Sequence, residues 1–368
     1  MPKRYGGQLN IGRIVAVLAV GLAVIGGAIA MVVLLFGNRD IKLVSERLSL
    51  PAQADYRVRD GSISYVADNT LNLYDAESGK SRQLPLNAEI DGYAVRDDVV
   101  VVHDGGMVHI ENAEAVTLIG TAREVRMGKD YVAVLRTGGQ GSDSIVVFDY
   151  NAQVAGEVLD FSDSKVTNFG FYTDNGRELL WIISVETEQN TPVTTVKMFD
   201  YGAGGTISYL SPFYDQFVET LYFTDDSIFV VGTQDIVRYS ITGGREKYRV
   251  GIYGNKVLDM TASEGTASFL LAPREDEPFY HLRLLRIAEA DDALSSWRHI
   301  TLTEPIVNAF LQGGYIKIVA EENVYIYTYA GRNPATLPLE GSAYEAYKLT
   351  DTYFVYFTED GLYRAQTR

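Results

Sequence analysis

Cysteine is absent from this sequence of 368 residues. Its absence excludes disulfide bonds, thiolate metal sites, cysteine nucleophiles and membrane attachment through a lipid on cysteine. Positive charge is scarce as well, because 32 lysines and arginines stand against 48 aspartates and glutamates, giving a net charge of −16. A nucleic-acid partner needs a basic surface, so we expect no nucleic acid to bind.

Sequence signatures of enzymes are also missing. The four histidines show no metal-ligand spacing, and there is no nucleophile elbow, Walker A sequence or dinucleotide-binding pattern. Pairs of acidic residues are common, but with 48 acidic residues in the chain any one pair is weak support for glycosidase chemistry. We therefore expect a protein that is not an enzyme and that holds no cofactor and no metal.

The first feature that the sequence does have is an uncharged apolar run, IVAVLAVGLAVIGGAIAMVVLLF, at residues 14–36. As a helix it would extend roughly 35 Å at about 1.5 Å per residue, which is enough to cross a bilayer. A cleaved signal peptide is the alternative, because Ala28-Ile29-Ala30 resembles a cleavage site. However, the apolar run continues for six residues beyond Ala30, so the sequence favours an uncleaved transmembrane helix.

The orientation of this helix is predicted from the layout of the chain, since basic residues flank both of its ends nearly equally. A short tail precedes it, and a large acidic region comes after it. We expect a single-pass protein of the cell membrane with a cytoplasmic tail at 1–13, a juxtamembrane segment at 37–50 and an extracytoplasmic domain at 51–368.

The extracytoplasmic region repeats a pattern of short alternating strands and turns. Copies begin near residues 56, 93, 124, 166, 218, 257, 307 and 344, so the mean spacing is about 41 residues. A period of about 40 to 45 residues with four strands per repeat is typical of β-propellers. We predict an all-β fold, a propeller of eight or seven four-stranded blades. A pair of β-sandwiches and a β-solenoid are the alternatives.

The last copy has only three strands before the sequence ends at Arg368. Propellers often close their ring with one blade that takes strands from both ends of the chain. Residues 41–49, IKLVSERLS, are the candidate for the missing strand.

The stretch TGGQGSD at residues 137–143 contains the Gly-Gly-x-Gly-x-Asp signature of calcium-binding β-helix repeats. Such sites need tandem copies, and the sequence has one copy. The stretch also occupies the position of ordinary hairpin turns in the other repeats. We therefore predict a turn that binds no calcium.

Three turns between second and third strands are longer than the fold requires, at residues 137–143, 184–195 and 272–281. In a propeller these turns share one face, and added length on a rigid scaffold often serves binding. They carry charged and aromatic candidates for a binding face: Asp143, Glu186, Glu188, Glu275, Asp276, Glu277, Phe279 and Tyr280. The alternative is that they are tolerated insertions.

Basic residues recur near the ends of the predicted first strands of several repeats, at Arg57, Arg96, Arg126 and Lys348. They are candidates for a basic ring around the channel. The interpretation we favour is pairing with neighbouring acids, which are Asp60, Asp97, Asp130 and Asp351.

The repeats resemble those of WD40-like and quinoprotein-like propellers. The layout resembles single-span propeller-like proteins of the Gram-positive cell envelope, and it is similar to the outer-membrane assembly propeller. The Gly-His and Trp-Asp marks of WD40 repeats are absent, and the two tryptophans cannot supply a quinoprotein's docking repeats.

This resemblance implies an interaction module. We expect a membrane-tethered scaffold that binds a protein or a cell-envelope polymer. The alternative is an exported hydrolase or lyase with carboxylates at the central channel.

Overall fold

The computed structural model describes residues 41–367 apart from short gaps at 52–53, 60, 87, 98, 114, 119, 139–140, 175, 203–204, 242–243, 275–277, 290–294 and 331–333. Packing divides the chain into two units, residues 1–44 with 367–368 and residues 45–366. The predicted transmembrane helix lies outside the described residues. Among the residues that are described, none belongs to a helix that could cross a membrane.

The described residues form β-strands and turns. β1 (Leu43–Arg47) belongs to the sheet formed by the end of the chain. Sheet I comprises β2 (Arg57–Arg59), β3 (Ser62–Ala67), β4 (Thr70–Asp75) and β5 (Ser81–Pro85), and sheet II comprises β6 (Gly92–Arg96), β7 (Val99–His103), β8 (Met107–Ile110) and β9 (Val116–Thr117). Sheet III comprises β10 (Thr121–Met127), β11 (Tyr131–Thr137), β12 (Asp143–Asp149) and β13 (Leu159–Phe161).

The remaining sheets come in chain order. Sheet IV comprises β14 (Ser164–Asp174), β15 (Arg177–Glu188), β16 (Thr191–Asp200) and β17 (Gly205–Phe213), and sheet V comprises β18 (Val218–Phe223), β19 (Ser227–Gly232), β20 (Asp235–Ser240) and β21 (Glu246–Gly251). Sheet VI contains β22 (Asn255–Ser263), β23 (Thr266–Pro273), β24 (Phe279–Ala288), β25 (Ser295–Gln312), β26 (Tyr315–Ala320), β27 (Asn323–Thr328) and β28 (Ala335–Pro338). Sheet VII has the order β1, β31 (Gly361–Thr367), β30 (Tyr353–Thr358) and β29 (Ala343–Lys348).

Sheet VI has seven strands because β25 serves two neighbours. Its first part pairs with β24, from Ser295 opposite Ile287 to Thr301 opposite His281. Its last part, Ile306 to Gln312, pairs with β26. Sheet VI is therefore two four-stranded units that share one long strand, which fits the separate repeats predicted near residues 257 and 307.

Consecutive sheets meet through their first strands. Asn308 Nδ2 donates to the carbonyl of Ala346 at 2.7 Å, and Gln312 Nε2 donates to the carbonyl of Thr350, 38 residues ahead in both cases. The constant separation shows that neighbouring first strands run parallel. β29 of sheet VII also contacts β2 of sheet I, so within residues 45–366 the series of sheets closes on itself.

The strand directions create two faces. Because strands alternate within each sheet, the turns between second and third strands emerge at one face together with the connections to the next sheet. We call this the connecting face. The turns between first and second strands and between third and fourth strands emerge at the other, which we call the opposite face.

The apolar core lies between consecutive sheets. Between sheets II and III, for example, Val101 and Ile110 pack with Val132, Val134 and Phe148, all of them buried. Middle strands are covered on both sides, so all six residues of β19 are buried. Such strands read as continuous apolar runs, which is why the alternation in the sequence is clearest in other strands.

The N-terminal strand completes the last sheet. The backbone N–H of Leu48 donates to the carbonyl of Leu362 at 2.9 Å, and Arg364 bonds both Glu46 at 2.5 Å and the carbonyl of Ala76 at 2.6 Å. Residues 41–49, the candidate for this position in the sequence, thus contain the strand beside β31.

Removal of β1 is expected to weaken the whole unit. We predict that a fragment of residues 41–368 folds as a soluble all-β domain. A fragment of residues 50–368 should lose about 2–4 kcal/mol of stability, because it exposes the edge of β31 and loses the buried Leu48 side chain. Urea unfolding followed by circular dichroism measures this difference. Equal midpoints for the two fragments would contradict a closing role for β1.

A buried lysine gives the fold a pH dependence. Lys317 on β26 is 3% exposed, and its Nζ lies 5.8 Å from the ring centroid of Phe354. Burial, and then the charge of Lys348, lowers the pKa of Lys317 from 10.5 to about 8. Since the unfolded chain binds this proton more tightly, the free energy of unfolding should rise between about pH 8 and about pH 10.5.

Replacement of this lysine should stabilise the protein. We expect Lys317→Met to raise the free energy of unfolding at pH 7 by about 1–3 kcal/mol, because it removes a buried charge. The advantage should shrink towards pH 10.5. Urea titrations at several pH values test this, with the exposed Lys247→Met as the control. A gain that does not change with pH would show that the charge of Lys317 is not its cause.

Candidate functional site

Six first strands carry a β-bulge near the connecting face. The register shifts by one residue in β10, β14, β18, β22, β25 and β29. The extra residues are Arg123, Thr167, Glu219, Leu258, Val307 and Tyr344. Bulges re-aim side chains locally, and here the bulge residues Arg123 and Glu219 pair with Asp143 and Arg274.

The residue after each bulge is polar, and in three strands it fixes the local backbone. Oδ1 of Asn168, Asp259 and Asn308 accepts the N–H of the following residue at 2.8 to 2.9 Å. Asn168 also donates to the carbonyl of Glu219 in the next sheet at 2.8 Å. In the sequence, each bulge falls in four consecutive residues: a small or β-branched residue, any residue, a polar residue and an apolar residue. Examples are VTNF, VLDM and IVNA. This pattern was not among the features predicted from the sequence.

Three of the bulge residues line one groove of about 740 Å³ on the connecting face. Leu258, Val307 and Tyr344 form its wall, together with Phe279, the first residue of β24, and Pro278, which precedes it. We call this the apolar groove. Its size lies within the usual range of about 300–1,000 Å³ for ligand pockets.

Exposed aromatic side chains concentrate on the connecting face. Of the six aromatic residues that are strongly exposed among those described, five lie there: Tyr214 at 58%, Phe217 at 48%, Tyr253 at 71%, Tyr280 at 42% and Tyr344 at 59%. The sixth, Trp297, lies on the outer strand β25. The five belong to sheets IV to VII or to the connections between them. Exposed aromatic side chains gathered on one face are a candidate for a binding surface.

Negative charge accompanies these aromatic side chains. The hydroxyl of Tyr214 donates to Glu188 at 2.9 Å, and this hydrogen bond and the carboxylate charge raise the pKa of Tyr214. Arg249, a basic residue of this arc, is bound by Asp215 and Asp235 at 2.9 Å and by Glu246 at 3.0 Å. That cluster has three acids for one arginine. The acidic residues Glu321, Glu322 and Glu340 are exposed on the same face.

The predicted binding residues differ in their exposure and in the elements that carry them. Glu186 and Glu188 lie near the end of β15, and residues 184–195 form no loop: β15 and β16 continue to a two-residue turn at Gln189 and Asn190, with φ of 48° and 66°. Tyr280 is exposed, whereas Phe279 is 9% exposed and packs into the core beside the apolar groove. Glu275, Asp276 and Glu277 lie outside the described residues.

Asp143 is fully buried, so its carboxylate is not presented to a partner. It accepts hydrogen bonds from Arg123 at 2.9 Å, from Lys165 at 2.9 Å and from the N–H of Val166 at 3.0 Å. These contacts join sheet III to sheet IV. The stretch 137–143 lies between two strands that pair Thr137 with Asp143, as expected of a turn.

The recurring basic residues are held in several ways. Arg96 lies 3.8 Å from Asp97, and Lys348 lies 3.7 Å from Asp351 and 3.5 Å from Asp259. Arg126 pairs with Glu124 in place of the expected Asp130. Arg57 donates to the carbonyl of Tyr93 at 2.9 Å and stacks on its ring. Its expected partner, Asp60, lies outside the described residues.

Metal ligands do not cluster in the part of the chain that the structure describes, where no three histidine or acidic side chains are placed to share an ion. His103 is 5% exposed and lies against Gly92, where a Cβ would approach its Nε2 to 2.5 Å. Burial lowers the pKa of His103. Its place is that of a packed core residue.

The sequence matches no protein-family model and no curated protein. Solved structures do match. BamB from Moraxella catarrhalis aligns with 13% identity and a TM-score of 0.57, covering 88% of this chain and 97% of that chain. The WD40 domain of SCAP from fission yeast aligns with 10% identity and a TM-score of 0.58, covering 88% and 98%.

A computationally designed protein, Ika8, aligns with 14% identity and a TM-score of 0.55, covering 88% of this chain and 98% of that chain. WD40 domains are β-propellers. At these identities the likeness shows the fold alone. Together with the four-stranded antiparallel sheets and their closed series, it confirms the predicted propeller architecture.

Substitution of Asp143 tests whether its carboxylate stabilises the fold or binds calcium. We expect Asp143→Ala to lower the free energy of unfolding by about 2–4 kcal/mol, because Arg123 and Lys165 lose their shared counter-charge and the N–H of Val166 loses its acceptor. Asp160→Ala, which removes an exposed carboxylate from the adjacent strand, should have little effect. Urea unfolding measures both.

Calcium titration of the wild-type protein completes this test. Since Arg123 and Lys165 already neutralise the Asp143 carboxylate, we expect no saturable heat of calcium binding. A high-affinity calcium signal that disappears in Asp143→Ala would overturn this interpretation.

Proposed function

We propose that this protein is a membrane-tethered β-propeller that works outside the cytoplasm as a binding scaffold, and that its connecting face takes a basic segment of a partner protein. The observation that carries the proposal is the concentration of five exposed aromatic side chains on that face. Aromatic residues bury much surface when they are covered, and they dominate the energetics of protein interfaces.

The charge of the face favours a basic partner. The carboxylates of Glu188, Glu321 and Glu340 accompany the aromatic side chains, and Arg249 is already saturated by three acids. Complementary charge speeds association and rejects acidic competitors. A segment that alternates lysine or arginine with apolar residues would satisfy both the charges and the aromatic side chains.

The apolar groove supports an anchoring role. Phe279 and Val307 offer an apolar surface, and Tyr344 stands at its edge with 59% of its surface exposed. Glu321 and Lys256 also line the groove. One large apolar side chain of the partner could fill the groove while a neighbouring basic side chain meets Glu321. Interface hot spots commonly have this form, a central pocket with a charged rim.

We propose eight blades for the propeller. Six sheets have four strands, and sheet VI contributes two further four-stranded units, which makes eight. The proposed tether is supported by the apolar run at residues 14–36 and by the acidic character of residues 51–368. A surface that binds a partner outside the cell gains from such a tether, because it keeps the scaffold at the membrane.

Two aromatic residues give the sharpest test. Tyr253→Ser combined with Tyr344→Ser should weaken capture of partners from detergent-solubilised membranes by at least about tenfold, because each truncation of a hot-spot aromatic costs about 2 kcal/mol. Trp297→Ser, which removes an exposed aromatic from an outer strand, is the matched control and should capture normally. Quantitative mass spectrometry of the captured proteins compares the three.

The salt dependence and the nature of the partner complete this experiment. Capture of a basic segment should fall as the salt concentration rises. If the partners are captured equally by the double variant and the control, the connecting face is not the binding surface. If capture survives complete proteolysis of the extract, the bound component is a polymer and the protein-partner proposal fails.

A further inference from the structure

The opposite-face end of the channel has a different character from the connecting face. A cavity of about 480 Å³ extends from there to the middle of the channel, where Asn168 of β14 and Thr220 of β18 also line it. Three arginines line it, Arg59 from β2, Arg96 from β6 and Arg126 from β10, with Asp97 as the single acid of the lining. Three positive charges and one negative charge give the lining itself a charge of +2, and a charge of +1 remains when Glu124, the partner of Arg126, is counted, in a chain whose net charge is −16.

Asp97 does not neutralise this cluster. Its side chain is 91% exposed, and its carboxylate lies 3.8 Å from Arg96 at the outer edge of the cavity. An ion pair that is so exposed contributes little, since water and salt screen it. Arg96 also donates to the carbonyl of Met127 at 3.2 Å, which holds its guanidinium across the gap between sheets II and III.

Arg126 is the innermost of the three. It pairs with Glu124, its Cζ lies 6.0 Å from the ring centroid of Phe169, and its Nε is buried without a hydrogen-bond partner among the described residues. Burial lowers the pKa of Arg126; Glu124 opposes this effect and the positive charge of Arg59 adds to it. A second positive charge beside a partly buried guanidinium is unfavourable, and an anion bound between the arginines would offset it.

The rest of the wall comes mainly from partly buried side chains of β14, the apolar Phe171 and the polar Asn168. Phe169 and Trp181 are almost fully buried and offer little surface. Trp181 lies against Gly170, where a Cβ would approach the indole to 2.7 Å. The volume lies within the range of about 300–1,000 Å³ for small-molecule sites. Guanidinium groups are the usual partners of carboxylate and phosphate oxygens, because their planar forks match two oxygens at once.

We propose that this cavity binds a small organic anion with two or more oxyanion groups, held by Arg59, Arg96 and Arg126. Carboxylate and phosphate groups share the chemistry that the arginines recognise. The site is independent of the partner surface proposed above, since the two lie at opposite ends of the channel and share no residue.

Tryptophan fluorescence can report on this site in the full-length protein in detergent. The chain has two tryptophans, so Trp297→Phe leaves Trp181, beside the cavity, as the only reporter. Citrate and pyrophosphate serve as the carboxylate and phosphate probes, titrated at low ionic strength, and calorimetry provides a second readout. We expect a saturable signal for at least one probe, and the stronger of the two identifies the preferred oxyanion.

The arginines can be tested against a matched control. Arg96→Gln combined with Arg126→Gln should weaken binding at least about tenfold, because each variant removes a charge-assisted bond to the anion. Arg298→Gln removes one positive charge and a carbonyl contact at Thr328 on the outer strand β25, and it should bind normally. Arg96→Lys, which keeps the charge without the fork, should bind with intermediate affinity.

The folded state of each variant is checked by its thermal melting curve. A variant that melts early is compared at a temperature below its transition. No saturable signal for either probe at millimolar concentration would overturn the proposal, and so would equal affinity of the double variant and the Arg298→Gln control. If long polyanions bind but citrate and pyrophosphate do not, the arginines form a basic surface without a small-molecule site, and the proposal is wrong.

Discussion

The closure of the series of sheets is the constraint on which the rest of residues 45–366 depends. Each four-stranded sheet has two sides with apolar residues, so it needs a neighbour on both sides. An open series would leave one apolar side bare at each of its ends. Contact between β29 and β2 removes those ends, and β1 covers the edge of β31. Because no sheet is complete alone, the unit should unfold cooperatively.

Polar contacts set the angle at which the sheets meet, since apolar contacts carry little direction. Glu178 of sheet IV is buried and accepts the N–H of Asp130 at 2.7 Å and the N–H of Tyr131 at 3.1 Å in sheet III. The adjacent Gly128 leaves room for it, because a Cβ there would lie 2.5 Å from the carboxylate. Within sheet V, Gln216 in the connection before β18 accepts the N–H of Asp235, with Gly232 beside it, and so holds that connection against the sheet.

Much of the architecture could be predicted because it rests on a repeated pattern. The spacing of about 41 residues reports the size of a four-stranded unit, whichever residues fill it. The outer strands were harder to read: β9 has two residues, and β5 alternates between exposed and partly buried positions. Such short outer strands contribute few buried apolar side chains, so they leave little pattern in the sequence.

The candidate site was predicted less well, for physical reasons. Asp143 reads as a loop carboxylate, but Arg123 and Lys165 make its burial tolerable, and Lys165 comes from the next sheet. Residues 184–195 read as a polar loop, yet Gln189 and Asn190 adopt positive φ and close a tight hairpin. Burial and turn type depend on neighbours that are distant in the chain, so the sequence alone could not supply them.

The two proposed sites depend on one property of the closed series. Because the first strands are parallel, residues at the same position of different strands lie at the same end of the channel. Residues at the strand starts gather on the connecting face, as the bulge residues Leu258, Val307 and Tyr344 do. Residues at the strand ends gather on the opposite face, as Arg96 and Arg126 do. Backbone pairing leaves these positions free to vary, so each end of the channel can acquire its own ligand without disturbing the fold.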